Sequence, residues 1–141
     1  MKKGMLFLLF ILSGFAAFSQ SSDPKTMAVP DGKAIIYVVR PEAIGSAIGM
    51  IVTINGEVMG ATKGKNYIYK VVDPGTYSIT WKVTSDAPEP VSVQAEAGKK
   101  YYVWQDVRMG PLFALCSFAL LNEQEGLAKL QKCKLAKSPK E

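Results

Sequence analysis

Histidine is absent from the 141 residues of the sequence. The chain therefore lacks the one side chain whose unperturbed pKa lies near neutral pH, and it lacks the commonest metal ligand of proteins. Histidine-dependent catalytic triads and histidine zinc sites are excluded. We accordingly predict a non-enzymatic protein with no catalytic residue, no metal site and no cofactor.

An apolar run of membrane-spanning length is also missing, and the run at the N-terminus is a short one. Lys2 and Lys3 precede an apolar segment over residues 5–12, and the small residues Ala17 and Ser19 follow it. This layout is typical of a secretory signal peptide. A membrane anchor is the alternative, but the run is shorter than the roughly 20 apolar residues of a spanning helix. We predict cleavage after Ser19.

Cysteine is scarce, since only Cys116 and Cys133 are present. Neither lies near the predicted cleavage site, so we expect a periplasmic or extracellular protein that is not lipid-anchored and has no transmembrane span after cleavage. A cysteine pair in an oxidising compartment is more often bridged than free. We predict a disulfide that adds about 3 kcal/mol of stability, provided that the Cα atoms lie within about 7 Å. Two buried thiols are the alternative.

Acidic residues are fewer than basic ones, 12 against 17, and 12 against 15 without Lys2 and Lys3. So small an excess does not require a polyanionic partner, and we predict no nucleic-acid binding. Lysines at the C-terminus are typical of a solvated helix end, where cations are favourable. The alternative is a weak contact with anionic lipid or cell-wall polymer. These lysines are Lys129, Lys132, Lys134, Lys137 and Lys140.

Short segments rich in β-branched and aromatic residues recur from residue 33 onwards. Residues 34–40 are apolar almost throughout and are followed by Pro41, which predicts a strand covered on both faces. Alternation over residues 77–84 and 91–97 predicts strands with one buried face, with Trp81 in the core. Turn signals separate further predicted strands at residues 48–54, 57–62, 67–72, 100–109 and 112–121.

These signals predict a mainly β fold, an antiparallel β-sandwich or open barrel of seven to eight strands with one C-terminal helix. Asn55-Gly56 predicts a tight hairpin, because both residues accept positive φ angles. We divide the chain into a signal peptide at residues 1–19, a flexible leader at 20–32, the β-sandwich domain at 33–135 and a basic tail at 136–141.

The C-terminal helix is predicted over residues 123–133. Asn122 and Glu125 have the spacing of a capping box, which satisfies unpaired backbone donors at a helix start. Leu127 and Leu130 are predicted to pack the helix on the sheet. Gly126 is expected to weaken it by about 1 kcal/mol relative to alanine.

Motifs that carry recognisable chemistry are few. Residues 60–66 resemble a phosphate-binding loop, but only three residues separate Gly60 from Gly64, and Asn66 replaces the hydroxyl residue. Nucleotide binding is therefore not predicted. The carboxylates fall mostly in turns or on polar strand faces, where solvent exposure is expected, although two of them can meet across strands as in a hydrolase. They are Glu57, Asp73, Glu89, Glu96 and Asp106.

Aromatic residues are the remaining candidates for binding. Tyr67 and Tyr69 share one strand face, whereas Tyr101 and Tyr102 point in opposite directions. Such residues are more often buried in a core. The alternative is an exposed face that stacks on sugar rings or on a partner protein. This candidate binding face consists of Tyr67, Tyr69, Tyr102 and Trp104.

Three segments in this order resemble an uncharacterised family of small exported bacterial proteins, domain of unknown function 2846. They are residues 33–41, the turn Asp73-Pro74-Gly75 followed by Tyr77, and residues 97–103. The resemblance covers about residues 32–134. It implies a β-sandwich and carries no activity and no catalytic residue. Family members are often lipid-anchored, and this sequence departs from them because no cysteine lies at its cleavage site.

The expected function is that of an exported, non-enzymatic β-sandwich module of the periplasm or cell envelope, which binds or scaffolds an envelope protein or a glycan. A carbohydrate- or peptide-binding accessory domain that uses the aromatic face is the first alternative. A hydrolase with paired carboxylates is the second. Fold class alone does not decide among these.

Overall fold

The computed structural model of the chain describes residues 23–82, 89–112 and 114–137. The predicted signal peptide, the loop around Pro88 and the end of the basic tail lie outside these residues. The described residues form nine strands and one helix. In chain order they are β1 (Ala34–Arg40), β2 (Met50–Ile54), β3 (Glu57–Thr62), β4 (Asn66–Val72), β5 (Gly75–Trp81), β6 (Val91–Ala95), β7 (Lys100–Met109), β8 (Ala114–Leu121), α1 (Glu123–Gln131) and β9 (Lys134–Leu135).

The strands form two sheets that pack face to face. One sheet has the order β8, β7, β1, β4, β9, and the other has the order β3, β2, β5, β6. The predicted mainly β, two-sheet fold is confirmed, and the described strands do not close into a barrel. β1 runs parallel to β7 and β4 runs parallel to β9. The five-stranded sheet is therefore mixed, whereas the sequence predicted an antiparallel one.

β1 lies at the centre of the five-stranded sheet, and all seven of its residues are buried. Ile36 and Val38 face the other sheet, where Ile79 belongs to the same apolar core. On the outer face, Tyr37 packs in a second cluster with Leu130, which α1 supplies. The apolar run thus has both faces covered, as its composition predicts.

The described part of the predicted leader lies against this outer face. The Tyr37 hydroxyl donates a hydrogen bond to the Pro24 carbonyl at 2.6 Å. Met27 and Val29 pack against the same apolar cluster. This N-terminal segment therefore contributes apolar contacts to the packed body of the protein.

β5 and β6 have the alternation that the sequence predicts. Ile79 and Val93 are buried between the sheets, while Ser78 and Ser92 are exposed. Trp81 is half-buried beside a third apolar cluster at the end of the sandwich. Its indole N–H is buried without an acceptor among the described residues.

Asn122 starts α1. Its side-chain oxygen accepts a hydrogen bond from the Glu125 backbone N–H at 2.8 Å, which confirms the predicted cap. The helix ends earlier than predicted, at Gln131, and a two-residue strand follows it. Among the described residues, no helix has the length and apolar character needed to cross a membrane.

α1 packs on the outer face through Gly126 and Leu130, which are both buried. The predicted packing of Leu130 is confirmed, whereas Leu127 is 36% exposed and is not among the buried residues of the helix. Gly126 allows the helix backbone to lie against the ring of Tyr102, because it has no side chain to hold the two apart. The closest approach of helix and sheet therefore occurs at the glycine.

Candidate functional site

A cleft of about 750 Å³ opens at one edge of the sandwich. This volume lies within the range of small-molecule sites. Its walls come from three separate segments: the loop between β1 and β2, the end of β3 with the turn into β4, and the chain around β9. We call it the lysine cleft, and it is lined by Ser46, Gly49, Ala61, Lys63, Gly64, Asn66, Lys134, Leu135 and Lys137.

Arg40 at the end of β1 holds two of these walls together. Its side chain is fully buried. Nη1 donates to the carbonyls of Ile48 at 2.7 Å and Thr62 at 2.8 Å, and Nη2 donates to the Gly45 carbonyl at 2.8 Å. Burial lowers the pKa of Arg40, because desolvation disfavours the charged guanidinium. The charge is retained at neutral pH, since an arginine stays protonated in proteins.

The turn between β3 and β4 approaches the loop between β1 and β2 closely at Gly64. The Gly64 N–H donates to the Ser46 carbonyl at 3.1 Å. A Cβ atom on Gly64 would lie only 2.7 Å from Ser46 Cα, so a side chain there would push the walls apart. The Asn66 side-chain oxygen accepts from the Lys63 N–H at 3.1 Å and closes the turn. The backbone that carries Lys63 is therefore fixed from both sides.

β9 forms the C-terminal wall of the cleft. The Lys134 N–H donates to the Lys65 carbonyl at 2.8 Å, and the Ala136 N–H donates to the Tyr67 carbonyl at 2.9 Å. These bonds pair β9 in parallel with the start of β4. As a result, Lys134 lines the same cleft as the distant turn between β3 and β4.

The charge of the lysine cleft has one sign. Lys63, Lys134 and Lys137 line it, and none of the described residues in its lining carries a carboxylate. Within the part of the chain that the structure describes, none of these three lysines forms an ion pair. Like charges around one cleft repel each other, and an anion placed between them relieves that repulsion. The cleft is suited to a negatively charged ligand.

A smaller cavity of about 230 Å³ lies near the turn between β4 and β5. Lys33 and Lys70 line it together with Glu57 and Asp73. Lys33 forms an ion pair with Asp73. Because charges of both signs are present, this cavity favours neither anions nor cations, and the lysine cleft is the stronger candidate site.

The aromatic residues predicted as a binding face do not share an exposed surface. Tyr67 and Tyr102 are only 1% and 2% exposed, and Tyr69 and Trp104 are half-buried. The three tyrosines surround Tyr37, whose ring stacks on that of Tyr102 with the centroids 5.4 Å apart. Desolvation by this burial raises the pKa of Tyr67 to about 12. A sugar-stacking function receives no support from this arrangement.

Trp104 contacts charged side chains at the rim of the outer layer. Its indole N–H donates to Glu42 Oε1 at 3.1 Å. Lys129 Nζ lies 4.0 Å from the centroid of the Trp104 ring and 4.0 Å from Glu42 Oε1. The C-terminal lysines therefore differ in role, because Lys129 is engaged with an aromatic ring and a carboxylate, whereas Lys134 and Lys137 line the cleft.

The profile of a family described as "Protein of unknown function (DUF2846)" matches residues 30–115. The chain belongs to the DUF2846 family. The match begins just before β1 and ends in β8, so it includes most of the DUF2846 sandwich and the wall that carries Lys63, whereas α1 and β9 lie outside it. The family resemblance seen in the sequence is confirmed. A comparison with curated proteins gives no match.

The predicted disulfide of this DUF2846 protein is wrong, since both cysteines are free. Cys116 lies opposite Val107 in the register of β7 and β8, and it packs with Met50 between the two sheets. Cys133 follows α1 and packs with Leu130 on the outer face. The five-stranded sheet therefore separates the two thiols. The predicted alternative of two buried thiols describes the structure.

Raising the pH is expected to destabilise the protein through these thiols. Burial raises the pKa of Cys116 and of Cys133 to about 11 from the ordinary value of 9.0. The folded state therefore binds protons that the unfolded state releases first. The protonated thiols should contribute their full share to the free energy of unfolding below about pH 9. That free energy should fall by about 2 to 4 kcal/mol as the pH rises to about 11. Urea unfolding at a series of pH values measures this loss.

The control is the double variant Cys116→Ala and Cys133→Ala, in which the loss of stability over the same pH interval should be smaller. Iodoacetamide at about pH 8 should modify neither thiol of the folded protein and both thiols in urea, because the thiolate is the reactive form. Rapid labelling of the folded protein, or a mass that corresponds to a disulfide, contradicts this expectation.

Three of the five carboxylates singled out in the sequence pair with cations, and Asp73 pairs with Lys33. The side chain of Asp106 is only 15% exposed, so its predicted solvent exposure is wrong. Asp106 forms an ion pair with Arg108, and Glu96 forms one with Lys99. Within the described residues, no group of three or more Cys, Asp or Glu side chains is placed to hold a metal ion.

Sequence analysis missed the lysine cleft, although two local signals point to it. Residues 60–66 resemble only a nucleotide-binding loop. For Lys134 and Lys137 the sequence favours a solvated helix end, with a contact to anionic lipid or cell-wall polymer as the alternative. Both interpretations treated the lysines one segment at a time. The cleft exists because β9 returns to β4 and places the two segments side by side.

Proposed function

We propose that this DUF2846 protein is an exported, non-enzymatic binding module of the cell envelope that holds an anionic ligand in the lysine cleft. The observation that carries the proposal is the composition of the lining, because its described residues include Lys63, Lys134 and Lys137 and no carboxylate. A phosphate or carboxylate group supplies the negative charge that this lining lacks. The hydrogen bonds of Arg40 support the proposal, because they hold two walls in place before a ligand arrives.

Export is supported by the N-terminal layout, in which Lys2 and Lys3 precede a short apolar run and small residues precede Gln20. Protein recovered from the envelope fraction should begin at Gln20. A recovered chain that begins at Met1, or one found only with the cytoplasmic fraction, contradicts this part of the proposal.

Reversing two charges of the cleft is expected to abolish most anion binding. The variant Lys63→Glu with Lys134→Glu should lower the affinity for inorganic phosphate by about tenfold or more, because each substitution replaces an attraction by a repulsion. NMR titration of the exported chain with phosphate measures the affinity. The affinity should also decrease as salt is added, since these side chains are exposed and salt screens them.

The matched control is the variant Lys82→Glu with Lys99→Glu, which changes the net charge equally at exposed positions outside the cleft. It should change the phosphate affinity by less than about twofold. Equal losses in both variants indicate unspecific charge attraction and overturn the proposal. An unchanged affinity in the cleft variant also overturns it.

A further inference from the structure

A second cleft, of about 320 Å³, adjoins the lysine cleft. Ala61, Leu135 and Lys137 line both clefts, so the two share a boundary. Met59 and Ile68 also line the second cleft. Five of its eight described lining residues have apolar side chains, and polar and apolar atoms share its accessible surface about equally. We call it the apolar cleft after those side chains.

The apolar cleft reaches the layer between the two sheets. Ile68 belongs to the central core, and Met59 and Ala136 pack against that core. Gly60 packs closely on Ile68, because a Cβ atom at Gly60 would lie only 3.3 Å from the Ile68 side chain. β3 and β9 are the outer strands of their sheets. The apolar cleft therefore lies on the outside of this edge, where an alkyl chain can lie against Met59, Ile68 and Leu135.

Leu135 stands at the boundary of the two clefts. Its side chain is 48% exposed although it is large and apolar. β9, which carries it, pairs with only two residues of β4, Asn66 and Tyr67. An alkyl chain laid against Leu135 removes apolar surface of both partners from water, which is favourable.

We infer that the anionic ligand is an amphiphile, with a phosphate or carboxylate head between Lys63 and Lys134 and an alkyl chain in the apolar cleft along Leu135. The inference rests on the proposed function, because the head occupies the lysine cleft. A small polar anion uses only the charged cleft, and a neutral alkyl chain uses only the apolar one. A molecule that carries both parts complements both linings at once.

Calorimetric titration of the exported chain with decyl phosphate, below the concentration at which it forms micelles, tests the inference. Inorganic phosphate and the neutral detergent decyl maltoside are the comparison ligands. Decyl phosphate should bind at least about tenfold more tightly than either of them, because only it fills both clefts. Binding no tighter than that of phosphate overturns the inference.

A matched pair of variants locates the alkyl chain. Leu135→Gln should lower the affinity for decyl phosphate by about fivefold and leave that for phosphate within about twofold, because it removes apolar contact without changing charge. Leu120→Gln is the control, since Leu120 is 47% exposed on β8 and does not line either cleft. Equal losses in the two variants overturn the inference.

The two proposals fail in different ways. Phosphate binding that depends on Lys63 and Lys134, without any gain from the decyl chain, overturns the amphiphile and leaves anion binding intact. Phosphate and decyl phosphate affinities that do not respond to Lys63→Glu with Lys134→Glu overturn both.

The source of the amphiphile is distinguished by sedimentation with lipid vesicles. Retention on phosphatidylglycerol vesicles, but not on phosphatidylcholine vesicles, supports the inference and assigns a membrane lipid. Tight binding of monomeric decyl phosphate without retention on either vesicle supports it and assigns a free amphiphile. Equal retention on both vesicles contradicts the requirement for an anionic head.

Discussion

Arg40→Met is expected to destabilise the protein by about 2 to 4 kcal/mol. The guanidinium donates to the carbonyls of Gly45, Ile48 and Thr62. Methionine fills much of the same volume but supplies no donor, so these backbone oxygens lose their partner. Urea unfolding measures the loss, and phosphate affinity should fall as well, because the walls of the lysine cleft are no longer joined.

The desolvation of the buried Arg40 charge opposes the loss of its hydrogen bonds in this variant. Arg40 is a fully buried charge without an ion pair among the described residues, and replacing buried charges by apolar groups sometimes stabilises proteins. Such gains occur where both partners are replaced together. Here the partners are backbone carbonyls that no substitution removes, so we expect the loss of hydrogen bonds to exceed the relief of desolvation.

Arg108→Met is the control for Arg40→Met. The side chain of Arg108 is 76% exposed and pairs with Asp106, whose side chain is 15% exposed. Its substitution should change stability by less than about 0.5 kcal/mol. If Arg40→Met proves as stable as the unaltered protein, desolvation outweighs the three hydrogen bonds, and the proposed bracing of the cleft walls is wrong.

Gly126→Ala is expected to destabilise the protein by about 2 to 3 kcal/mol, although alanine is the better helix former by about 1 kcal/mol. A Cβ atom on Gly126 would lie 2.6 Å from Cδ2 of Tyr102 and closer still to its Cβ and Cγ. Tyr102 is buried in the outer layer with little room to move. The helix must therefore shift outwards, which reduces the contact of Leu130 with the sheet. Thermal or urea unfolding measures the effect.

Ala128→Gly is the matched control within the same helix. Ala128 is exposed, so its substitution changes only helix propensity and should cost about 1 kcal/mol. Gly126→Ala replaces glycine by the better helix former, and it should nevertheless destabilise the protein more than Ala128→Gly does. If Gly126→Ala raises the stability, the close approach of α1 to Tyr102 is incorrect.

Local patterns predicted the secondary structure well where neighbours along the chain decide it. Asn55 and Gly56 both have positive φ angles, 49° and 83°, as their hairpin signal requires. The buried Ile79 and Val93 follow the period of two. Asn122 caps its helix through a bond to a residue three positions away. Each of these features depends on residues only a few positions apart.

The errors concern contacts between distant segments. The thin apolar stripe of α1 predicted packing through Leu127 and Leu130. Leu130 is buried, but the contact of Gly126 with Tyr102 on β7 was not predicted. Tyr67 and Tyr102 were candidates for an exposed face and are buried, because α1 and the N-terminal segment cover them. The residue patterns of the strands do not indicate that α1 and the N-terminal segment cover these tyrosines.

The sequence by itself determined the strand periods, the turns and the helix cap, since these follow from short-range backbone and side-chain preferences. It also carried the resemblance to the DUF2846 family. Only the tertiary structure decided that β1 pairs in parallel with β7, that the sheet separates Cys116 from Cys133, and that Lys63 lines one cleft with Lys134. The physical reason is that these neighbours are set by how whole elements bury their apolar faces against each other. No local run of residues encodes that choice.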